Sequence, residues 1–178
     1  MNMNIRVVIP VACLAITLLC GCSMTKSAQT PTETGQFFSV SLPPALAGKT
    51  IKRGGISNTD TLNQKQVYAI DVKNDDVLEV SGWAFDDSTR SVSEMVFIEL
   101  VRVESDGRNY AKYYAAASRV ERADVAAGFK EPAYMKAGYN LKAGIKSVPP
   151  GEYEINVIQV VDGNPLLAPT GKRMNKTN

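Results

Sequence analysis

Histidine does not occur in this chain of 178 residues, and its three cysteines all lie within the first 22. A Ser-His-Asp triad, a Cys-His pair and a histidine-ligated zinc site are therefore excluded. Tryptophan occurs once, and aromatic residues make up 7% of the chain, so few side chains can anchor a core. Charge of one sign is also lacking. Twenty basic side chains face 18 acidic ones, and no strong field exists to recruit nucleic acid. The longest uncharged apolar run, residues 7–19, is too short for a membrane-spanning helix of about 20 residues, and Pro10 interrupts it.

That run, preceded by Arg6, instead fits the apolar region of an export signal. The following Leu19-Cys20-Gly21-Cys22 resembles a bacterial lipobox: an aliphatic residue, two small residues and the cysteine that receives lipid. Cys22 fits the pattern. Cys20 does not, because Leu19 stands where a small residue is required. An ordinary signal peptide with an incidental cysteine is the alternative. The resemblance implies a signal peptide over residues 1–21, acylation at Cys22 and a membrane anchor of two or more acyl chains. Ser23 follows, where lipoproteins retained at the inner membrane carry Asp. The implied location is the outer membrane, at its periplasmic face. Cys13 and Cys20 leave with the signal, so the folded part has neither free thiol nor disulfide.

Residues 22–35 read as the lipidated cysteine and a flexible Ser/Thr/Gln-rich tether. Residues 36–49, with Phe37, Phe38, Val40 and Leu42 before Pro43-Pro44, read as an edge strand or a flap. A main domain is expected over residues 50–169 and a frayed tail over 170–178.

Strands and turns alternate through that domain. Tyr68, Ile70 and Val72 share one parity, and Asn74-Asp75-Asp76 has the chemistry to reverse the chain. Leu78 and Val80 alternate with Glu79 and Ser81 in a strand that ends at Trp83-Ala84-Phe85. Trp83 is expected to be the core anchor, with a stacking platform for a sugar ring as the alternative. Residues 95–103 are apolar on both faces, as in a central strand covered on two sides. Asp106-Gly107 signals a hairpin into the strand at residues 110–116. Residues 153–161 form a last clear strand, with a change of face near Val157-Ile158. One helical turn is expected, capped by Asp124 and stopped by Gly128. The fold class is all-β: an immunoglobulin-like antiparallel β-sandwich with one short helical turn.

Three constellations carry candidate chemistry. Arg119, Arg122 and Asp124 either grip an acidic sugar or phosphate bidentately, or pair with one another across a loop. Tyr110, Tyr113, Tyr114, Tyr134 and Tyr139 cluster in one half, with Tyr113 and Tyr139 as candidate ligand contacts. Tyr113 and Tyr114 must face opposite sides of one strand. Asp86-Asp87 and Asp75-Asp76 read as solvated turns rather than a calcium site, which needs six or more oxygens. No metal and no cofactor is expected.

Gly82-Trp83-Ala84, Arg122-Ala123-Asp124-Val125, Ala137-Gly138-Tyr139 and the run Val148-Pro149-Pro150-Gly151-Glu152-Tyr153 appear in this order. The set resembles an extracytoplasmic β-sandwich module appended to bacterial glycosyltransferases and membrane proteins of surface-polysaccharide synthesis. Residues 55–63 resemble its opening strand, and the likeness covers roughly residues 54–161. It implies an immunoglobulin-like sandwich outside the cytoplasm and carries no ligand residues with it. The resulting expectation is a non-catalytic binding or accessory module, its partner a cell-envelope glycan. The alternative is an interaction subunit that binds another envelope protein through an edge strand or the Tyr-rich half.

Overall fold

The computed structural model describes residues 36–103 and 111–178, all of which fall in one compact unit. Ten strands follow in order: β1 (Lys52–Arg53), β2 (Ile56–Leu62), β3 (Ala69–Val72), β4 (Val77–Asp86), β5 (Ser91–Val92), β6 (Met95–Arg102), β7 (Lys112–Val120), β8 (Gly138–Gly144), β9 (Gly151–Val161) and β10 (Asn164–Lys176). Helix α1 (Ala123–Phe129) and a 3-10 turn (Pro132–Lys136) lie between β7 and β8. The all-β class expected from the alternation is what forms.

The strands make one curled sheet in the order β1-β10-β9-β6-β7-β8-β4-β2. It bends at β7, which pairs with β6 as far as Ala117 and with β8 from Ser118 onward. One strand thus changes partner part-way along and carries the sheet round its curl. The pairing is not purely antiparallel. β1 and β3 both run parallel to β10, on successive stretches of its outer edge. The turn at residues 74–76 does reverse the chain, but β3 lies beside β10 and not beside β4. The β6–β7 pairing expected on either side of Asp106-Gly107 is present, and that turn lies outside the described residues with Tyr110.

The core lies inside the curl of the sheet. Leu78, Val80 and Ala84 of β4 and Leu141 and Ala143 of β8 meet Val96, Ile98 and Leu100 of β6 and Tyr153, Ile155 and Val157 of β9. The outer face of β6, β7 and β9 is covered as well. Phe97, Tyr114, Ile158 and Val160 pack beneath Leu46, which is fully buried. That second cover explains the continuous burial of β9. Its register with β6 runs unbroken from Tyr153 to Val160, so no change of face occurs near Val157-Ile158. Residues 36–49 are accordingly part of the fold, with Phe38 in the core and Ser39 bridged to Tyr114. Both were legible only as an edge strand or flap.

Three further expectations are corrected. Residues 170–178 are not frayed: β10 runs to Lys176, and Met174 and Lys176 are buried between β9 and β3. Asp124 is not the helix cap. Arg122 holds that position without a side-chain cap bond, Gly128 lies inside the helix, and Lys130 ends it in the left-handed conformation. Trp83 is not the centre of the core. It lies on the outward face of β4, half-buried in a satellite cluster with Phe85, Val125, Tyr134 and Ala137. Its ring stacks on Phe85 at 5.3 Å and meets Phe129 edge-on at 5.5 Å, under α1.

Candidate functional site

An open polar groove of about 620 Å³ lies where the curled sheet fails to close. One wall is β2 (Asn58, Thr59, Asp60), the other is Gln66, Val67 and Tyr68 together with Lys172 of β10, and Arg122 stands at the rim. Its volume falls in the range of about 300–1,000 Å³ typical of small-ligand sites.

Two β-bulges aim the charged groups. The pairing of β2 with β4 slips by a residue between Thr59 and Thr61, and the extra residue is Asp60. The pairing of β10 with β9 slips between Pro169 and Lys172. A bulge bends its strand and redirects the side chain at that point. Here each does so on a groove wall.

Arg122 holds the first bulge in place. Its Nη1 donates to Asp60 Oδ2 at 2.6 Å, while Nε and Nη2 donate to the two oxygens of Asp124 at 2.8 and 2.7 Å. The fork on Asp124, followed by Asp60, raises the guanidinium above its ordinary pKa. The same fork lowers the Asp124 carboxyl to about 2. Asn58 Nδ2 donates to Asp60 Oδ1 at 2.5 Å, so each Asp60 oxygen has one partner and lone pairs to spare.

Beneath this network sits Tyr139, fully buried. Its phenol oxygen lies 2.8 Å from Thr59 Oγ1 and donates to the Asn58 carbonyl at 3.3 Å, and burial raises its pKa. Two glycines make this possible. A Cβ on Gly82 would stand 2.0 Å from the Asn58 carbonyl and 2.6 Å from the Tyr139 hydroxyl. A Cβ on Gly138 would stand 2.6 Å from Arg122 Cγ. The Gly82, Arg122–Asp124 and Gly138–Tyr139 motifs therefore converge on one buttress that shapes β2.

Tyr68 supplies the groove's exposed ring, with 81% of its surface in solvent. Its carbonyl accepts from Arg173 N at 2.8 Å. Lys172 Nζ lies 4.7 Å from the ring centroid and donates to the Val67 carbonyl at 2.8 Å, holding the ring from one side.

Of the described residues singled out from sequence as candidate ligand contacts, only Arg122 borders the groove; the lipidation candidate Cys22 lies outside the described residues. Asp124 meets the groove through the guanidinium. Arg119 turns away, donating to Ser93 Oγ at 3.0 Å and to the Lys136 carbonyl; burial pushes it down to about 10, still charged at neutral pH. Tyr113 and Tyr139 are core residues, and Tyr113 meets Tyr153 edge-on at 6.0 Å. Tyr114 and Tyr134 are also buried, so the Tyr-rich half does not present a surface of tyrosines among the described residues. Tyr113 and Tyr114 do face opposite ways, into separate clusters. Asp86 is not solvated. It binds Ser88 and Thr89 within its own turn, and Asp87 accepts from the Tyr134 hydroxyl at 3.1 Å.

Sequence reasoning missed Tyr68 and Asp60. Tyr68 shares parity with Ile70 and Val72, but it precedes the strand and escapes its alternation. No family model matches this chain, and no curated protein or solved structure is found to be similar to it.

Proposed function

We propose that this protein is a non-catalytic glycan-binding module, tethered to the periplasmic face of the outer membrane by acylation at Cys22. The observation that carries the binding reading is Tyr68, an exposed ring steadied by Lys172 beside the Asp60–Arg122 pair and the amides of Asn58 and Gln66. An aromatic face next to planar polar groups suits a sugar, which has an apolar ring face and hydroxyls around its rim. The frame is read as an immunoglobulin-like sandwich. In its support, β2, β4 and β8 face β10, β9 and β6, and the first strand runs parallel to the last. The motif resemblance to modules of surface-polysaccharide enzymes points the same way.

Two experiments test the reading. Envelope polysaccharide should raise the melting temperature of the wild-type chain by ligand linkage. Tyr68→Ala should abolish that shift while leaving the unliganded melting temperature unchanged, because the ring is exposed. No shift for wild type over a broad glycan panel overturns the binding function. For the anchor, Cys22→Ser should end fatty-acid labelling and release the protein from membranes. Continued labelling rejects the lipobox.

A further inference from the structure

The charges in the groove narrow the kind of sugar it accepts. Resting on the glycan reading above, we propose that the groove takes an uncharged pyranose, its apolar face on Tyr68 and its neighbouring hydroxyls bridging Asp60 and the amides of Asn58 and Gln66.

The cations are the first reason. Arg122 is the groove's strongest anion-binding group by chemistry, yet all three of its interacting nitrogens are committed to Asp60 and Asp124. Only Asp124 is held in fork geometry, Asp60 taking a single Nη1 bond; a sugar carboxylate or phosphate would find just the second N–H of Nη1 and of Nη2, and would meet the repulsion of both carboxylates. Lys172 is held in its place by the Val67 carbonyl and the face of Tyr68. It lines the groove, but its Nζ is drawn to that carbonyl and over the ring, and so supports the platform.

The acceptors are the second reason. Asp60 uses one position on each oxygen, at 2.5 and 2.6 Å, and keeps its remaining lone pairs. Acceptors with spare capacity are what neutral hydroxyls require, and they repel anions. The side-chain amide of Gln66 makes no hydrogen bond among the described residues, and supplies both a donor and an acceptor on the opposite wall. A paired carboxylate with two amides reads hydroxyls, and the ring reads the C–H face.

The bulge at Asp60 supplies the rigidity such a site needs. Tyr139 and Arg122 brace it from below and from the side. Little ordering entropy then falls on the protein when the sugar binds.

The test is a titration of the purified full-length chain with neutral hexose oligosaccharides and with uronic-acid oligosaccharides, each at low and at moderate salt. Expected are binding of a neutral oligosaccharide that salt leaves unchanged, and a weakening of about tenfold or more in Tyr68→Ala, equal to about 1.4 kcal/mol. Tyr68→Phe should retain binding, because the stacking face survives. Asp60→Asn should weaken it, with circular dichroism confirming the fold. Arg122 is left unaltered, since its loss would disturb the β2 wall. Binding confined to uronic-acid oligosaccharides and weakened by salt overturns the uncharged-sugar proposal while sustaining the glycan reading. Binding of neither class overturns both.

Discussion

Gly82→Ala is the sharpest perturbation available. The added methyl would lie 2.0 Å from the carbonyl oxygen of Asn58 and 2.6 Å from the Tyr139 hydroxyl. The hydroxyl belongs to a side chain and can move. The carbonyl belongs to the backbone of β2, paired to β4 at this point through Thr59 and Gly82. Relief requires β2 to recede by more than an ångström, since an ordinary contact is 3.4 Å or longer. Overpacking of this kind costs about 1–3 kcal/mol. Displacing the Tyr139 hydroxyl from Thr59 and Asn58 adds about 1–3 kcal/mol for a buried polar group left short of partners. Replacing glycine restricts the unfolded chain and returns about 0.4–1 kcal/mol. The net loss is about 1–5 kcal/mol, centred near 3, a fall of roughly 10 °C in melting temperature for a domain of this size. Urea unfolding followed by emission from the neighbouring Trp83 measures it. The double variant Gly82→Ala/Tyr139→Phe should recover only part of the loss, because the carbonyl clash remains when the hydroxyl is gone. A Gly82→Ala protein within about 0.5 kcal/mol of wild type refutes the buttress.

Ring size and stability should part company on β4. Phe85→Ala, at a fully buried ring stacked on Tyr134 at 3.9 Å, should cost about 3–5 kcal/mol, whereas Trp83→Ala should cost only about 1–2 kcal/mol by urea unfolding. The reverse order would contradict the placement of the indole. In acid, Asp124 has a folded-state pKa of about 2 against an ordinary 3.8, so its contribution is whole above pH 3.8 and is lost as pH falls through 2. Asp124→Asn should flatten the melting-temperature profile across that window, and an unchanged slope would discount the pair with Arg122. In alkali the sign is set by the phenols: burial pushes Tyr114 up to about 12, and raises Tyr134 and Tyr139. The share of Tyr114 is complete below pH 10 and is lost as pH rises through 12, and those of Tyr134 and Tyr139 are lost above the ordinary phenol range, so part of the tyrosinate absorbance should appear late and together with unfolding. All of it appearing in one early step, with the fold intact, would rule this out.

What alternation could reveal, it revealed. β6 reads as a strand buried on both faces and is one, because apolar residues occupy both parities and the chain supplies two covers. Trp83, expected as the core anchor for its size, shares the outward parity of Glu79 and Ser81 and lies with Phe85, Val92, Val125, Tyr134 and Ala137. Residue volume does not choose a face of a strand; the two-residue period does. Of the C-terminal strand, residues 166–168 read as one further edge strand, and the rest stayed hidden for another reason. Residues 170–178 are polar because they alternate between solvent and a narrow slot, where Lys176 buries its stem and donates to Asn74 Oδ1 and the Val148 carbonyl. A lysine at the chain's end carries no local sign of such a partnership. The groove was still less legible, since Asp60 and Arg122 meet across 62 positions through a bulge.

The division of labour among these residues bears on how the site is to be found at all. The short motifs most visible in the sequence, Gly82, Arg122–Asp124 and Gly138–Tyr139, are tightly constrained: each fits where a larger or differently shaped side chain would collide with backbone or strand a charge. Groups so fully engaged with one another have little left for a ligand. The free capacity lies beside them, on Tyr68, Gln66 and the unused lone pairs of Asp60, residues that no motif marks. A constellation recognisable in sequence can thus brace one wall of the proposed site while most of the proposed contacts sit on the wall opposite. Substitutions at Gly82 and Arg122 should therefore act on β2 stability first and on binding only through it. Substitutions at Tyr68 and Gln66 should act on binding alone.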